Sequence, residues 1–466
     1  MPKRKQTLSP EATRRTNAPK SKAQKRLHGK IKASAKKPAA SKKKAPNKPL
    51  AKFNPRLRSA AEVKVAMSRQ KAAGSSTPAA TLDSVTFSAG WDINQDDGSG
   101  NYQAPQWQNT PARSYPYLYS DVSGTNILTV SAVWTLASSV SSAPYVQGTG
   151  PGGINIPSTQ ATIDSSGTTV TLPATAASTA FPNQTNYYNP FTIQWQISFD
   201  GGSTWEDAGT SQNPIYVCLQ GPVSGVPSPF RTVVHLACSK TGATNADQAV
   251  AKTWALFSGP ANVCRWDGSP LYYYKPGTTF DISQNPVTTA GLLKVGSAEC
   301  FGWAHLLQDA WTLNGVTSQW NEADPIGYQA FWVKTWTALP TSGDFYFQST
   351  SFDMNPYPRS GSPPRPDPYG YYDKPGGTNF KNERTLYGQN SAPGAPAEKV
   401  FGNHQFLKYN GTYYDPSYGV TYTGPADFQS KAVAGFGNQI VPSPSPTNLV
   451  MSFDIVTATT SISFSV

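Results

Sequence analysis

The sequence predicts an α+β fold in three parts: a disordered basic tail over residues 1–80, an antiparallel, Ig-like β-sandwich over 81–228, and a core mixing helices with a sheet over 229–466. Three observations lead there. First, charge is divided unevenly along the 466 residues: residues 1–72 hold 23 of the 39 Lys and Arg, but only Glu11 and Glu62 of the 27 acidic residues. Second, residues 82–221 are rich in Ser, Thr, Gly and aromatics set in short alternating runs. Third, the remaining half carries two helical patterns and one strong hairpin signal.

The tail is built from Lys, Ala, Pro and Ser, as in residues 33–46, with few large side chains to bury. Such a segment cannot offset the entropy lost on ordering. Dense positive charge binds polyanions through counterion release, so nucleic acid is the first partner expected for residues 1–72. A solvated extension without a partner accounts equally for the same composition. An anionic membrane surface or an acidic polysaccharide suits the charge too. Residues 52–71 have partly helical spacing and suit folding on a partner. The rest of the chain carries 16 basic and 25 acidic residues, so two physically different objects are joined. No signal-like apolar run follows Met1, and no run of about eighteen apolar residues occurs anywhere, so an intracellular chain without a transmembrane segment is expected. Four cysteines in this length suit a reducing compartment, although a Cys238–Cys264 disulfide is compatible with the spacing.

In the second part, residues 126–136 alternate, residues 168–172 follow a Ser-Ser-Gly turn, and residues 191–198 lead into Asp200-Gly201-Gly202. These spacings predict short antiparallel strands packed as a sandwich for binding or spacing. Asp96, Asp97 and Gly98 lack the donor spacing of a calcium loop and read as a turn. In the third part, residues 245–258 read as a helix with Asn245 as N-cap and Gly259-Pro260 as its stop. Residues 232–238 read as a strand, and residues 450–464 as one or two closing strands.

The hairpin signal is Asn410-Gly411, flanked by aromatic alternating runs. A two-residue type I′ turn there pairs Tyr409 with Thr412 and Phe406 with Asp415. His404 and Asp415 then become diagonal neighbours on one face, roughly 7–8 Å apart at the backbone. A carboxylate so placed can orient an imidazole. The matching nucleophile is Cys300, in the segment 296–311, which has Ser297 as N-cap and Asn314-Gly315 as terminator. In a first helical turn, unpaired N–H groups and the helix dipole favour a thiolate and can hold an oxyanion. Cys218, Cys238 and Cys264 read as core filler. His305 lies about 140° around the helix from Cys300 and points away; His235 reads as structural, and His28 belongs to the tail.

These residues resemble the transglutaminase-like superfamily of papain-like thiol enzymes. The resemblance rests on Cys300-Phe301-Gly302-Trp303-Ala304 at a helix start, His404 opening a strand, and Asp415-Pro416-Ser417 after the next strand. Residues 232–238 and 262–266 extend it to the opening strand and first helix of that core, so that it covers about residues 229–466. Two departures stand out: a Pro, Gly and Tyr-rich insertion at about 353–397, and Gln405-Phe406 after the histidine where the family pattern is of the His-Ala-Trp type. The resemblance implies Cys300 as nucleophile, His404 as general base and Asp415 as orienting acid. It also implies a thioacyl intermediate on protein or peptide amides; the sequence shows no zinc cluster or Gly-rich phosphate loop, so no cofactor is expected. An entering amine gives a crosslink; water gives hydrolysis. Trp266, Trp303 and Trp311 are candidates to line the acyl site, and residues 369–372 to form a lid. Two other functions compete: a non-catalytic, capsid-like sandwich protein with a nucleic-acid-binding arm, and an inactive module kept for binding. The oligomeric state is not legible.

Overall fold

A computed structural model describes residues 79–122, 126–223, 228–258, 263–273, 286–327, 330–333, 344–348, 357–358, 389, 400–441, 448–454 and 461–466. The basic tail, residues 52–71, His28, the residues 369–372 and all but three residues of the 353–397 insertion lie outside them. Strands and five α-helices make the described chain α+β.

The first eleven strands are β1 (Ala80–Ser88), β2 (Trp107–Gln108), β3 (Arg113–Ser114), β4 (Tyr117–Ser120), β5 (Thr129–Leu136), β6 (Tyr145–Thr149), β7 (Asn155–Gln160), β8 (Thr162–Ile163), β9 (Thr169–Ala176), β10 (Asn186–Ser198) and β11 (Glu206–Cys218). They form two sheets, ordered β3-β2-β1-β5-β9-β8 and β4-β11-β10-β6-β7. All their pairings are antiparallel except β4 with β11, which run parallel and so correct the wholly antiparallel expectation. Nearly ninety residues separate those two strands, ample for the crossover that a parallel pair requires.

Period-two alternation drives the packing. Val130, Ala132, Trp134 and Leu136 of β5 all point inward. Trp134 meets Trp195 of the other sheet edge-on at 5.5 Å, and its Nε1 donates to the Ala208 carbonyl at 2.8 Å. The largest side chain of the sandwich core is thereby buried with its polar atom satisfied. At the β10–β11 turn, the Asp200 carboxylate accepts from the N–H groups of Ser203 and Thr204, with Gly201 and Gly202 supplying positive φ. The last six residues of β11 are buried on both faces. Ile215 and Val217 face the sandwich core, whereas Tyr216 and Cys218 face the helices that follow.

Those helices are α1 (Arg231–Cys238), α2 (Ala246–Phe257), α3 (Thr289–Val295), α4 (Cys300–Thr312) and α5 (Pro425–Ala432). α1 replaces the strand expected over residues 232–238. Its two adjacent valines favour a strand locally, but the segment buries one face against β11, and its N-terminus is satisfied from a distance. Asp96 accepts from Thr232 N at 3.0 Å and from Thr232 Oγ1 at 2.6 Å, a cap supplied by a residue far away in sequence. Asp97 closes a local turn onto Ser99 N. α2 begins as its sequence predicts, with Gln248 N donating to Asn245 Oδ1 at 3.0 Å.

His235 of α1 sits at the seam with the sandwich, edge-on to Tyr187 at 5.1 Å and Tyr216 at 6.1 Å. Burial, aided by the Arg231 guanidinium, lowers its pKa from the ordinary 6.5 to about 4. The unfolded ring therefore takes a proton at a higher pH than the folded one. The stability contributed by its neutral burial is complete above pH 6.5 and is lost between there and about pH 4. Urea titrations of His235→Phe are expected to show a shallower loss of stability across that window than the native chain. An unchanged slope would contradict the assignment.

The remaining strands are β12 (Tyr272–Tyr273), β13 (Ser297–Ala298), β14 (Gln319–Pro325), β15 (Ala330–Val333), β16 (Asp344–Gln348), β17 (Tyr357–Pro358), β18 (Val400–Phe401), β19 (His404–Tyr409), β20 (Thr412–Asp415), β21 (Val420–Tyr422), β22 (Val433–Val441), β23 (Asn448–Asp454) and β24 (Ile462–Ser465). One sheet is ordered β21-β20-β19-β14-β24 and another β17-β16-β23-β22-β15-β18. α4 packs on β19, inside a core shared with α1, α2 and α5. No helix among the described residues is long and apolar enough to cross a membrane.

Candidate functional site

β19 and β20 close around Asn410 and Gly411, whose φ values of 45° and 78° are the positive values of a type I′ turn. Leu407 pairs with Tyr414, Lys408 with Tyr413 and Tyr409 with Thr412, the register the turn predicts. Alternation then puts His404 and Asp415 on one face. His404 Nε2 lies 2.8 Å from Asp415 Oδ2, and both side chains are fully buried. An ionised carboxylate can only accept, so the hydrogen between them belongs to Nε2. Asp415 is held from two further directions: Tyr422 donates its hydroxyl to Oδ2 at 3.1 Å, and Ser417 N donates to Oδ1 at 3.1 Å. Burial, with the Asp415 charge beside it, pushes the Tyr422 phenol well above its ordinary pKa, so it remains a donor near neutral pH.

With Nε2 committed to Asp415, the other ring nitrogen of His404 is the one left to act. Nδ1 is buried and has no hydrogen-bond partner among the described residues. Rings of Phe401 at 5.1 Å, Tyr418 at 5.5 Å, Phe406 at 6.1 Å and Phe428 at 6.3 Å fix the imidazole. A buried nitrogen without a partner is rare enough to call for a function.

Cys300 is the first residue of α4, capped by the backbone of Glu299 rather than by Ser297. Ser297 is instead taken up in β13, which runs parallel to β12 with Tyr272 opposite Ser297 and Tyr273 opposite Ala298. The correction moves the thiol from the third helical position to the first. The first intrahelical bond at this end is Trp303 N to Glu299 O at 3.3 Å, so the positive end of the helix falls at Cys300. This is the helix end where negative charge is favoured.

Three contacts fix how α4 lies along β19. Near its C-terminus, Trp311 meets Tyr409 at 6.1 Å and Tyr414 at 5.1 Å. Midway, His305 packs edge-on to Trp320 at 4.4 Å and Gln308 Oε1 accepts from Trp320 Nε1 at 2.9 Å; Trp320 stands opposite Leu407 in the sheet. At the start, Tyr273, paired with Ala298, meets Tyr418 at 5.2 Å, and Tyr418 meets His404. Helix and strand therefore run side by side in the same direction. The helical rise from Trp311 back to Cys300 and the strand rise from Tyr409 back to His404 are each roughly 17 Å. Tyr409 and Tyr414, which meet α4, and Trp320 opposite Leu407 alternate with His404 and Phe406, which lie on the other face of the sheet against Phe428 of α5.

Cys218, Cys238 and Cys300 are buried, and Cys264 is half-buried. Burial pushes the Cys218 thiol up to about 12, Cys238 well above its ordinary value and Cys264 upward. No disulfide joins any of the four, and Cys238 lies fully buried in α1. Trp303 and Trp311 are wholly buried packing residues, and the Arg231 guanidinium lies 3.2 Å over the Trp266 ring. Trp303 and Trp311 thus fill the core, whereas Trp266 is half-buried. His305 faces Trp320, away from the thiol as its position on the helix predicts. Residues missed in the sequence are Tyr422, the ring cage around His404, and Gln389. Only Tyr422 left a signal, as an aromatic facing Asp415 across the next strand.

No family model matches the chain, and no curated protein or solved structure matches it. An imidazole oriented by a carboxylate can take a proton, and a helix N-terminus favours a thiolate.

Proposed function

We propose that this chain carries out thiol-dependent acyl transfer on protein or peptide amides, in the manner of the transglutaminase-like, papain-like enzymes its motifs resemble. The observation that carries the reading is the fully buried His404–Asp415 pair, whose Nδ1 has no hydrogen-bond partner among the described residues; Cys300, first residue of α4, is the thiol that the family resemblance assigns to it. In this mechanism Nδ1 of His404 takes the Cys300 proton and the sulfur forms a bond to the amide carbon. N–H groups of the first turn of α4 receive the oxyanion. The carbon–nitrogen bond then breaks, the imidazolium returns its proton to the departing amine, and a thioester remains. An incoming amine or water breaks the carbon–sulfur bond and restores the thiol. Asp415 keeps the proton of His404 on Nε2 throughout and steadies the imidazolium. The missing hydrogen bond to Nδ1 fits a resting site, since catalytic bonds often tighten only with substrate.

Incubation with a glutamine-containing peptide and a fluorescent primary amine tests the reading. Incorporation of the amine identifies transfer, and release of ammonia without incorporation identifies hydrolysis. Neither product, across peptide donors that expose glutamine or a backbone amide, would sink both.

A second reading is carried by the 23 basic residues within residues 1–72 and the two-sheet sandwich: a structural, capsid-like protein that binds nucleic acid through its arm. Binding of single-stranded RNA by the full chain, with affinity falling steeply as salt rises, would support that role. Salt-independent or absent binding would remove it.

A further inference from the structure

Gln389 is the single described residue between Pro358 and Val400, and it is buried to 2% exposure. Its backbone N donates to Ser417 O at 2.9 Å, and its carbonyl accepts from Tyr273 N at 3.1 Å. Its side-chain Nε2 donates to Phe257 O at 2.8 Å and to Pro416 O at 3.1 Å. These four bonds divide evenly between the two halves of the site. Pro416 and Ser417 form the turn that leaves Asp415, and Ser417 N itself holds the Asp415 carboxylate. Tyr273 is the β12 partner of Ala298, two residues before Cys300, while the Phe257 ring packs edge-on to Trp303 at 6.3 Å in the first turn of the thiol's helix.

We propose that Gln389 is a positioning residue of the Cys300–His404–Asp415 site, tying the turn that holds Asp415 to the strand and helix that carry Cys300. The inference rests on the acyl-transfer reading above. The side chain suits the task. Its amide offers two hydrogens to two carbonyls, whereas glutamate would face those carbonyls with acceptors and methionine would fill the space with no donor. Nothing else among the described residues reaches across in this way from the insertion that separates the cysteine from the histidine.

The test uses the full chain and the alkylation rate of Cys300 by iodoacetamide, mapped by mass spectrometry, in Gln389→Met, Gln389→Glu, His404→Ala and the Gln389→Met/His404→Ala pair. A displacement of about 1 Å in such a site costs on the order of 100-fold. Gln389→Met is therefore expected to slow the neutral-pH rate roughly 10- to 100-fold and to shift its pH profile, with Gln389→Glu affected in the same direction. In the His404→Ala background the same change is expected to have little further effect, because its action runs through the imidazole. An unchanged rate in both folded variants, or an equal loss with and without His404, would overturn the inference. Loss of cooperative unfolding in both would overturn it too, since Gln389 would then support the fold. If His404→Ala alone leaves the rate unchanged, the acyl-transfer reading fails first, a separately visible result.

Discussion

In His404→Ala, alkylation of Cys300 at neutral pH is expected to slow by roughly 10²- to 10⁴-fold, the usual worth of a positioned base. In the native chain the acyl-transfer reading expects the label on Cys300 ahead of Cys218, Cys238 and Cys264, whose thiols burial pushes upward. The alanine also leaves the Asp415 carboxylate buried with Tyr422 and Ser417 as its remaining donors among the described residues. A stability loss of about 2–4 kcal/mol should accompany the slower rate. His404→Gln keeps a donor near Asp415 and should recover part of that stability without recovering reactivity. Labelling spread over all four cysteines of the native chain, or unaffected by either substitution, would remove the triad.

Asp415→Asn is expected to be nearly as damaging, for a different reason. An amide in place of the carboxylate can point its NH₂ at His404 Nε2, and that nitrogen must then accept. The imidazole proton is forced onto Nδ1, the nitrogen that has to receive the thiol's proton. A wrong tautomer of this kind costs on the order of 10⁴-fold in a serine-based triad. Nitrogen-15 NMR of the labelled imidazole should show Nε2 protonated in the native chain and Nδ1 protonated in Asp415→Asn. The same tautomer in both would contradict this account of Asp415. Asp415→Ala instead strands three buried donors, the His404 ring N–H, the Tyr422 hydroxyl and the Ser417 N–H, and is expected to cost about 3–5 kcal/mol.

What could be read from the sequence was local. The Asn410-Gly411 turn sets its own register because only a few residue pairs accept two positive φ values, and that register is enough to bring His404 to Asp415. The helix at Asn245 was legible from its cap, and the start of α4 was placed to within three residues. Errors arose where distant residues decide. Ser297 looked like a cap, but its backbone is claimed by β12, a partner chosen by tertiary packing. Residues 232–238 carry strand-forming valines, yet become a helix because Asp96 caps them from the sandwich and β11 offers them an apolar face. Gln389 could not be found by pattern. Its value comes from four hydrogen bonds to segments that meet only in the folded chain.

The competing structural role does not exclude chemistry, since it is carried by residues other than Cys300, His404 and Asp415. The two functions separate experimentally. Nucleic-acid binding through residues 1–72 should depend on salt and be indifferent to His404. Acyl chemistry should depend on His404 and be indifferent to removal of that arm.

The most direct test is to expose the native chain to an activated acyl donor such as p-nitrophenyl acetate, quench in acid, and map the modified residue by mass spectrometry. The account predicts one acyl group on Cys300, absent from His404→Ala and removed by an added amine. Acylation elsewhere, or at Cys300 to the same extent without His404, would contradict it.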